Sequence, residues 1–289
     1  MIFLVNCKLV KGVYYNQMKY VAFLDILGFK DRLKSMSQVE AKKYIENFSN
    51  IILNVFSDSD ERIKGIVVSD SIILSTLNTS KESLLILIDT IDKICKSEFR
   101  ELGILMRGGI AKGEFDNMNV SELPQLKNQL IVGEAYVEAY LLEDTVKTIG
   151  ISISKSVYTD LHKINKASII VDEKINNTDI FLFNYLSVEF LLEKDNLYQF
   201  IKLAIESDWL PHYYNAIYFA IKNKAEQSNI LFPIIYNQIR KIEVNKEYSR
   251  LDKYIMNTFN DDVMYHYKQI FSKHLRRGLN NIFVECDSQ

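Results

Sequence analysis

Cysteine, proline and glycine are all scarce in this 289-residue chain, with 3, 3 and 10 copies. Cys7, Cys95 and Cys286 lie far apart without CxxC spacing. That excludes a disulfide framework and a cysteine zinc site, and points to a reducing compartment. His162, His212, His266 and His274 show no metal spacing either, and read as packing or surface residues. Long hydrophobic runs are missing. The apolar start is interrupted at Asn6, Cys7 and Lys8, and it lacks a small-residue cleavage site. The expectation is a cytoplasmic protein with no direct membrane insertion. An excess of one charge is missing too: 35 Lys and Arg against 37 Asp and Glu leave no basic footprint for nucleic acid. What is plentiful is apolar side chain, 48% of the chain, enough for a sizeable core and against general disorder.

Strand-like and helix-like patterns alternate through the first two thirds. Residues 20–26 read as a strand and 38–57 as an amphipathic helix opening at Ser37. Residues 63–68 and 71–76 are β-rich runs broken at Ser69-Asp70, a hairpin with the acid at its tip. Leu84, Leu85, Leu87, Ile88, Ile91 and Ile94 give helical periodicity over 80–100, with Ser80 and Ser83 placed for capping. A strand is expected at 103–113, a loop or long hairpin connection at 115–129, a strand at 129–132 and a helix at 134–147. Further strands are expected at 150–153, 167–172 and 179–184. From about 195 the pattern is helical, at 196–206, 211–225, 229–243, 248–259 and 262–276. Pro211 and Pro233 suit first turns, where a missing amide costs little. The expected organisation is an N-terminal extension at 1–17, an α/β catalytic-type module at 18–190 and an all-helical region at 191–289.

Two acids stand out. Asp25 ends the apolar run Tyr20-Val21-Ala22-Phe23-Leu24, and Asp70 interrupts Ile66-Val67-Val68-Ser69-Asp70-Ser71-Ile72-Ile73-Leu74. Burying an acid among β-branched residues is costly unless a positive charge pairs with it. Either each acid starts a turn, as strand-end Asp commonly does, or both share hard cations, which suit carboxylate oxygens.

In order, these segments resemble a class III nucleotidyl cyclase, the fold of adenylate and guanylate cyclases, over residues 18–190. Phe23-Leu24-Asp25-Ile26-Leu27-Gly28-Phe29 resembles the first metal motif, and Ser69-Asp70 resembles the Gly-Asp hairpin tip. Arg107-Gly108-Gly109-Ile110 resembles the Arg-x-Gly-Ile strand. Gly133-Glu134-Ala135-Tyr136-Val137-Glu138-Ala139-Tyr140-Leu141-Leu142-Glu143 resembles the late helix that ends in Leu-Glu. More closely, the combination is similar to the stand-alone pyrimidine cyclases of Pycsar antiphage defence, whose cyclic UMP or cyclic CMP activates a separate effector.

The resemblance implies an α+β fold with a ferredoxin-like βαββαβ core, followed by an all-helical C-terminal extension. It implies two Mg²⁺ or Mn²⁺ ions in a metal site of Asp25, Ile26 and Asp70, and a homodimer whose active site lies between subunits. Backbone amides from Ile26, Leu27, Gly28 and Phe29 would cradle the phosphates of UTP or CTP. Arg107 would supply positive charge to them, against the alternative of a strand-end ion pair with a neighbour such as Glu114. Tyr136 and Tyr140 either stack on the base or pack. Glu134 and Glu138 either face the interface or simply solvent. Lys273, Arg276 and Arg277 read as a solvated helix end.

Four positions depart from the purine-cyclase pattern. The base-reading positions fall on Ile66 and Leu130, neither able to hydrogen-bond a purine edge. The transition-state Asn and Arg positions fall on Val137 and Leu141. Three functions compete: a uridylate or cytidylate cyclase, a purine cyclase with atypical base contacts, and an inactive regulatory binding module.

Overall fold

The structure, a computed structural model, describes residues 17–57, 60–119, 129–146, 148–175, 178–193, 195–206 and 210–222. Strand β1 (Met18–Ile26) leads through α1 (Phe29–Lys34) and α2 (Gln38–Ser57) into the hairpin β2 (Ile63–Val68) and β3 (Ser71–Thr76). Helix α3 (Lys81–Leu102) then returns the chain to β4 (Met106–Glu114). These strands lie in the order β2-β3-β1-β4, every neighbour antiparallel. With this connectivity that order is the expected ferredoxin-like βαββαβ core.

Strand β1 reads as an unbroken apolar run because both of its faces are covered. Tyr20, Ala22, Leu24 and Ile26 join the larger core beneath α2 and α3. Val21 and Phe23 alternate onto the other face, where they meet Ala135 and Ala139 of α4 (Glu134–Glu143). Residue parity on β4 follows the same rule: Met106 and Ile110 face the larger core, and Ala111 faces α4. Arg107 and Gly109 share the parity of Ala111. Helix α4 sits close because Gly109 has no side chain. A Cβ there would stand 2.1 Å from the Ala139 carbonyl oxygen and 2.7 Å from Leu142 Cβ. Gly109→Ala is therefore expected to cost about 3 kcal/mol or more by prising α4 off the sheet. Gly65→Ala, whose Cβ would have the ring of Phe56 as its nearest neighbour, a side chain that can turn aside, should cost far less. Thermal unfolding of the two variants checks this.

Capping is local and explicit. Ser37 and Glu40 form a reciprocal capping box at the start of α2, with the Ser37 amide 2.8 Å from the Glu40 carboxylate. The Ser80 hydroxyl accepts the Ser83 amide at 3.2 Å.

Beyond β4 the expected boundaries shift. The stretch expected as a connection begins with β5 (Asp116–Asn119), which pairs with β6 (Gln129–Val132) as a separate two-stranded ribbon. Helix α4 stops at Glu143, short of 147. Strand β7 (Gly150–Ile153) joins β4 in parallel, and α5 (Lys155–Lys163), which the sequence pattern did not announce, follows it. Strands β8 (Ile170–Ile175) and β9 (Thr178–Phe183) complete a seven-stranded sheet. Helices α6 (Val188–Leu192), α7 (Asn196–Glu206) and α8 (Leu210–Lys222) pack into the same core as the sheet. Phe99 of α3 meets Phe190 and Phe200, and Asn184 donates to the Ala216 carbonyl at 2.9 Å. No helix among the described residues is long and apolar enough to cross a membrane. The expected helices at 229–243, 248–259 and 262–276, the basic cluster at Lys273, Arg276 and Arg277, and residues 1–16 lie outside the described residues.

Candidate active site

Strand register assembles the site. Asp25, on β1, is the cross-strand partner of Ser71 on β3 and of Arg107 on β4. Direct partners across antiparallel strands hold their Cβ atoms about 5 Å apart. The Ser71 hydroxyl donates to Asp25 Oδ1 at 3.1 Å. Arg107 Nη2 stands 3.9 Å from Asp25 Oδ2. Asp70 occupies the hairpin tip beside Ser71, after Ser69 in a left-handed conformation (φ 57°). Its carbonyl accepts the Ile26 amide at 3.2 Å, which clamps the hairpin to the end of β1.

Electrostatics agree with this geometry. Burial, then the Asp70 charge, raises the Asp25 pKa, while Ser71, Arg107 and Lys30 pull it back. The Arg107 guanidinium lies among three acids. Its Nε is ion-paired with Glu143 Oε1 at the end of α4, and its Nη1 is 4.0 Å from Asp144 Oδ1. Glu143 is itself raised, by burial first, with Asp25 and Asp144 adding to it and Arg107 opposing. The sequence alternative for Arg107 named Glu114. Arg107 and Glu114 stand at opposite ends of β4, so the ion pair falls to Glu143 instead.

This donor set fits a hard divalent cation. Mg²⁺ is held through one or two carboxylates, with waters and substrate phosphates completing its shell. Asp25 and Asp70 supply that number, and no larger His, Cys, Asp or Glu cluster forms among the described residues. Four carboxylates (Asp25, Asp70, Glu143, Asp144) face two cations (Arg107, Lys30) in these interactions, which leaves two negative charges in excess. The Ile26 side chain is buried in the core, so its carbonyl oxygen is the only group it can offer a metal.

Of the four backbone amides expected to face phosphates, two are already engaged. The Ile26 amide is taken by Asp70, and the Leu27 amide donates to the Leu105 carbonyl at 2.9 Å. Gly28 caps α1 with a left-handed φ of 74°, and among the described residues its amide and that of Phe29 donate to no backbone carbonyl. The aromatic pair packs: Phe23 meets Tyr136 and Tyr140 edge to face, with ring centroids 6.2 and 5.2 Å apart. Ile66 packs into this cluster, whereas Leu130 is exposed on β6. Sequence reasoning missed Glu143 as a site residue. Its one signal was the Leu-Glu ending of the late helix.

No protein family's sequence profile matches the chain, and no curated protein does. Similar solved structures include the adenylyl cyclase CyaB from P. aeruginosa, 15% identical, covering 57% of this chain and 92% of that one, TM-score 0.44. The dimeric guanylyl cyclase domain of the RhoGC fusion protein from Blastocladiella emersonii is 16% identical over 58% of this chain and 94% of that one, TM-score 0.46. The guanylate cyclase domain of RhGC from Catenaria anguillulae, in complex with GTP, is 16% identical over 58% and 94%, TM-score 0.43.

Proposed function

We propose that this chain is a metal-dependent nucleotidyl cyclase that joins the ribose 3′ oxygen of a nucleoside triphosphate to its α-phosphorus and releases pyrophosphate. The observation that carries this is the register of Ser71, Asp25 and Arg107 across three strands, with Asp70 at the adjoining hairpin tip. Asp25 and Asp70, with the Ile26 carbonyl, are the groups that would hold two Mg²⁺ or Mn²⁺ ions. When bound, such ions neutralise the triphosphate and acidify the 3′ hydroxyl. The Gly28 and Phe29 amides, at a helix N-terminus, take phosphate oxygens. Arg107 offers planar donors to the phosphates.

The base is a pyrimidine in this proposal, UTP or CTP. Ile66 and Leu130 offer no hydrogen bonds at the base-reading positions, and discrimination between purines depends on such polar groups. Tyr136 packs in the same cluster as Ile66. Val137, Tyr140 and Leu141 of α4 and Leu130 and Val132 near its start are exposed apolar residues, a surface suited to a second copy of the chain. By resemblance, the cyclic product is an antiphage signal acting on a separate effector, made in the cytoplasm. A second reading, a nucleotide-binding regulatory module without turnover, draws on the exposed Val137 and Leu141 at the transition-state positions.

Incubation with each of the four NTPs and Mn²⁺, with pyrophosphate and nucleotide products quantified, tests the proposal. UTP or CTP should yield one pyrophosphate per 3′,5′-cyclic monophosphate, with purines slower by roughly tenfold or more. Equal turnover of ATP or GTP sinks the base assignment. No pyrophosphate from any NTP sinks the enzyme and leaves the regulatory module.

A further inference from the structure

We propose that Glu143 is a positioning residue that draws the Arg107 guanidinium away from Asp25 and so keeps that carboxylate open to a divalent cation. The inference rests on the cation-dependent reading above and deepens it. Arg107 and Asp25 are direct cross-strand partners. A guanidinium so placed, with no competing acid, closes on the carboxylate in a fork and takes up its lone pairs. One of the Asp25 oxygens already accepts the Ser71 hydroxyl, so few acceptor sites would remain for a metal.

The structure holds the guanidinium elsewhere. Its Nε faces Glu143, while Asp25 and Asp144 stand 3.9 and 4.0 Å from its Nη atoms. The Glu143 side chain is only 10% exposed, against 84% for Asp144. Attraction through the low-dielectric interior outweighs attraction to a solvated acid, so Glu143 is the partner that fixes Arg107. Arg107 Nε and Glu143 Oε1 are both buried and neither makes a hydrogen bond, so their contact is an ion pair alone. Glu143 reaches this position because α4 rests directly on Gly109, two residues along β4 from Arg107. Lys30 and Asp70 are the other charges acting on Asp25. They lie on α1 and the hairpin tip.

Mn²⁺ alone, titrated into nucleotide-free full-length protein by calorimetry or by the spin-resonance signal of the free ion, tests this without any turnover. E143Q should weaken Mn²⁺ binding about tenfold, a typical coupling for neighbouring charges. E143D, which keeps the charge on a shorter arm, should recover most of that loss. In an R107A background the same E143Q change should alter Mn²⁺ affinity by less than about twofold, because the displaced group is gone. Thermal unfolding shows that each variant is folded, and a purely structural role would move that readout while leaving Mn²⁺ affinity alone. The inference is overturned if E143Q binds Mn²⁺ like the wild type. It is equally overturned if the loss is the same with and without Arg107, for then only Glu143's own charge acts. A wild-type protein that binds no Mn²⁺ brings down the cyclase proposal as well; unchanged E143Q affinity in a protein that does bind it brings down this inference alone.

Discussion

Asp25→Asn is expected to reduce cyclic-nucleotide formation by about a thousandfold or more while leaving the fold at least as stable as before. Loss of a ligand that anchors metal charge at a transferring phosphoryl group removes several kcal/mol of transition-state stabilisation, and about 4 kcal/mol is a thousandfold. The stability half follows from the sign of the pKa shift. Burial and the Asp70 charge raise the Asp25 pKa in the folded state. The unfolded chain therefore releases that proton at lower pH than the folded chain does. Between the unfolded and folded values stability falls as pH rises, so at neutral pH the Asp25 carboxylate is a net burden. Asparagine removes the burden and, while retaining an acceptor for the Ser71 hydroxyl, withdraws the anionic ligand. A bound cation reverses the balance: Mn²⁺ at a hundred times its Kd should stabilise the wild type by about 2.7 kcal/mol, and Asp25→Asn by much less. Asp70→Ala should abolish turnover in the same way. Wild-type turnover in either variant, or equal stabilisation of Asp25→Asn by Mn²⁺, would remove the acids from the chemistry.

The legible parts of the site are those that one strand or one turn encodes. An acid closing an apolar strand and an acid at a two-residue hairpin tip are local patterns, and the strand order brings them to one end of the sheet. The hairpin and the parity of β1 then place Asp25 beside Ser71 and Arg107 without further information. Glu143 was hidden because its meaning depends on a partner far away on β4, and only the seating of α4 on Gly109 joins them. The amides of Ile26 and Leu27 looked free because nothing local shows that Asp70 and Leu105 carbonyls claim them. Helix α5 escaped notice because only Val157 and Leu161 are buried on it, too few for a period. Strand β5 is four residues, Asp-Asn-Met-Asn, whose composition favours turns until β6 pairs with it.

Glu98→Met is expected to stabilise the protein by about 3 kcal/mol at pH 7, raising its melting temperature by on the order of 10 °C. Helix α3 carries its apolar stripe through Leu84, Leu87, Ile91 and Ile94, and one further helical step lands on Glu98. The side chain is fully buried and neither carboxyl oxygen has a hydrogen-bond partner. Burial, then the charge of Glu101, pushes its pKa up to about 9 from an ordinary 4.5. The folded protein accordingly keeps Glu98 protonated at neutral pH, whereas the unfolded chain has already ionised. Stability on this account falls steadily as pH rises from about 4.5 to about 9, by about 1.4 kcal/mol per pH unit, and levels off beyond. Methionine matches the length of glutamate and fills the same slot without a charge to bury. The gain should therefore be small at pH 5 and largest near pH 9. Helix α3 leads back to the sheet end where β4 begins at Met106. The Glu98 charge also acts on Tyr44, whose ring packs against Phe29 and whose hydroxyl accepts from Arg32 at 3.3 Å. Thermal unfolding of both proteins from pH 5 to 9 decides the matter: a gap that widens with pH is the expected result, and parallel curves would show that Glu98 ionises in the folded core as readily as in the unfolded chain.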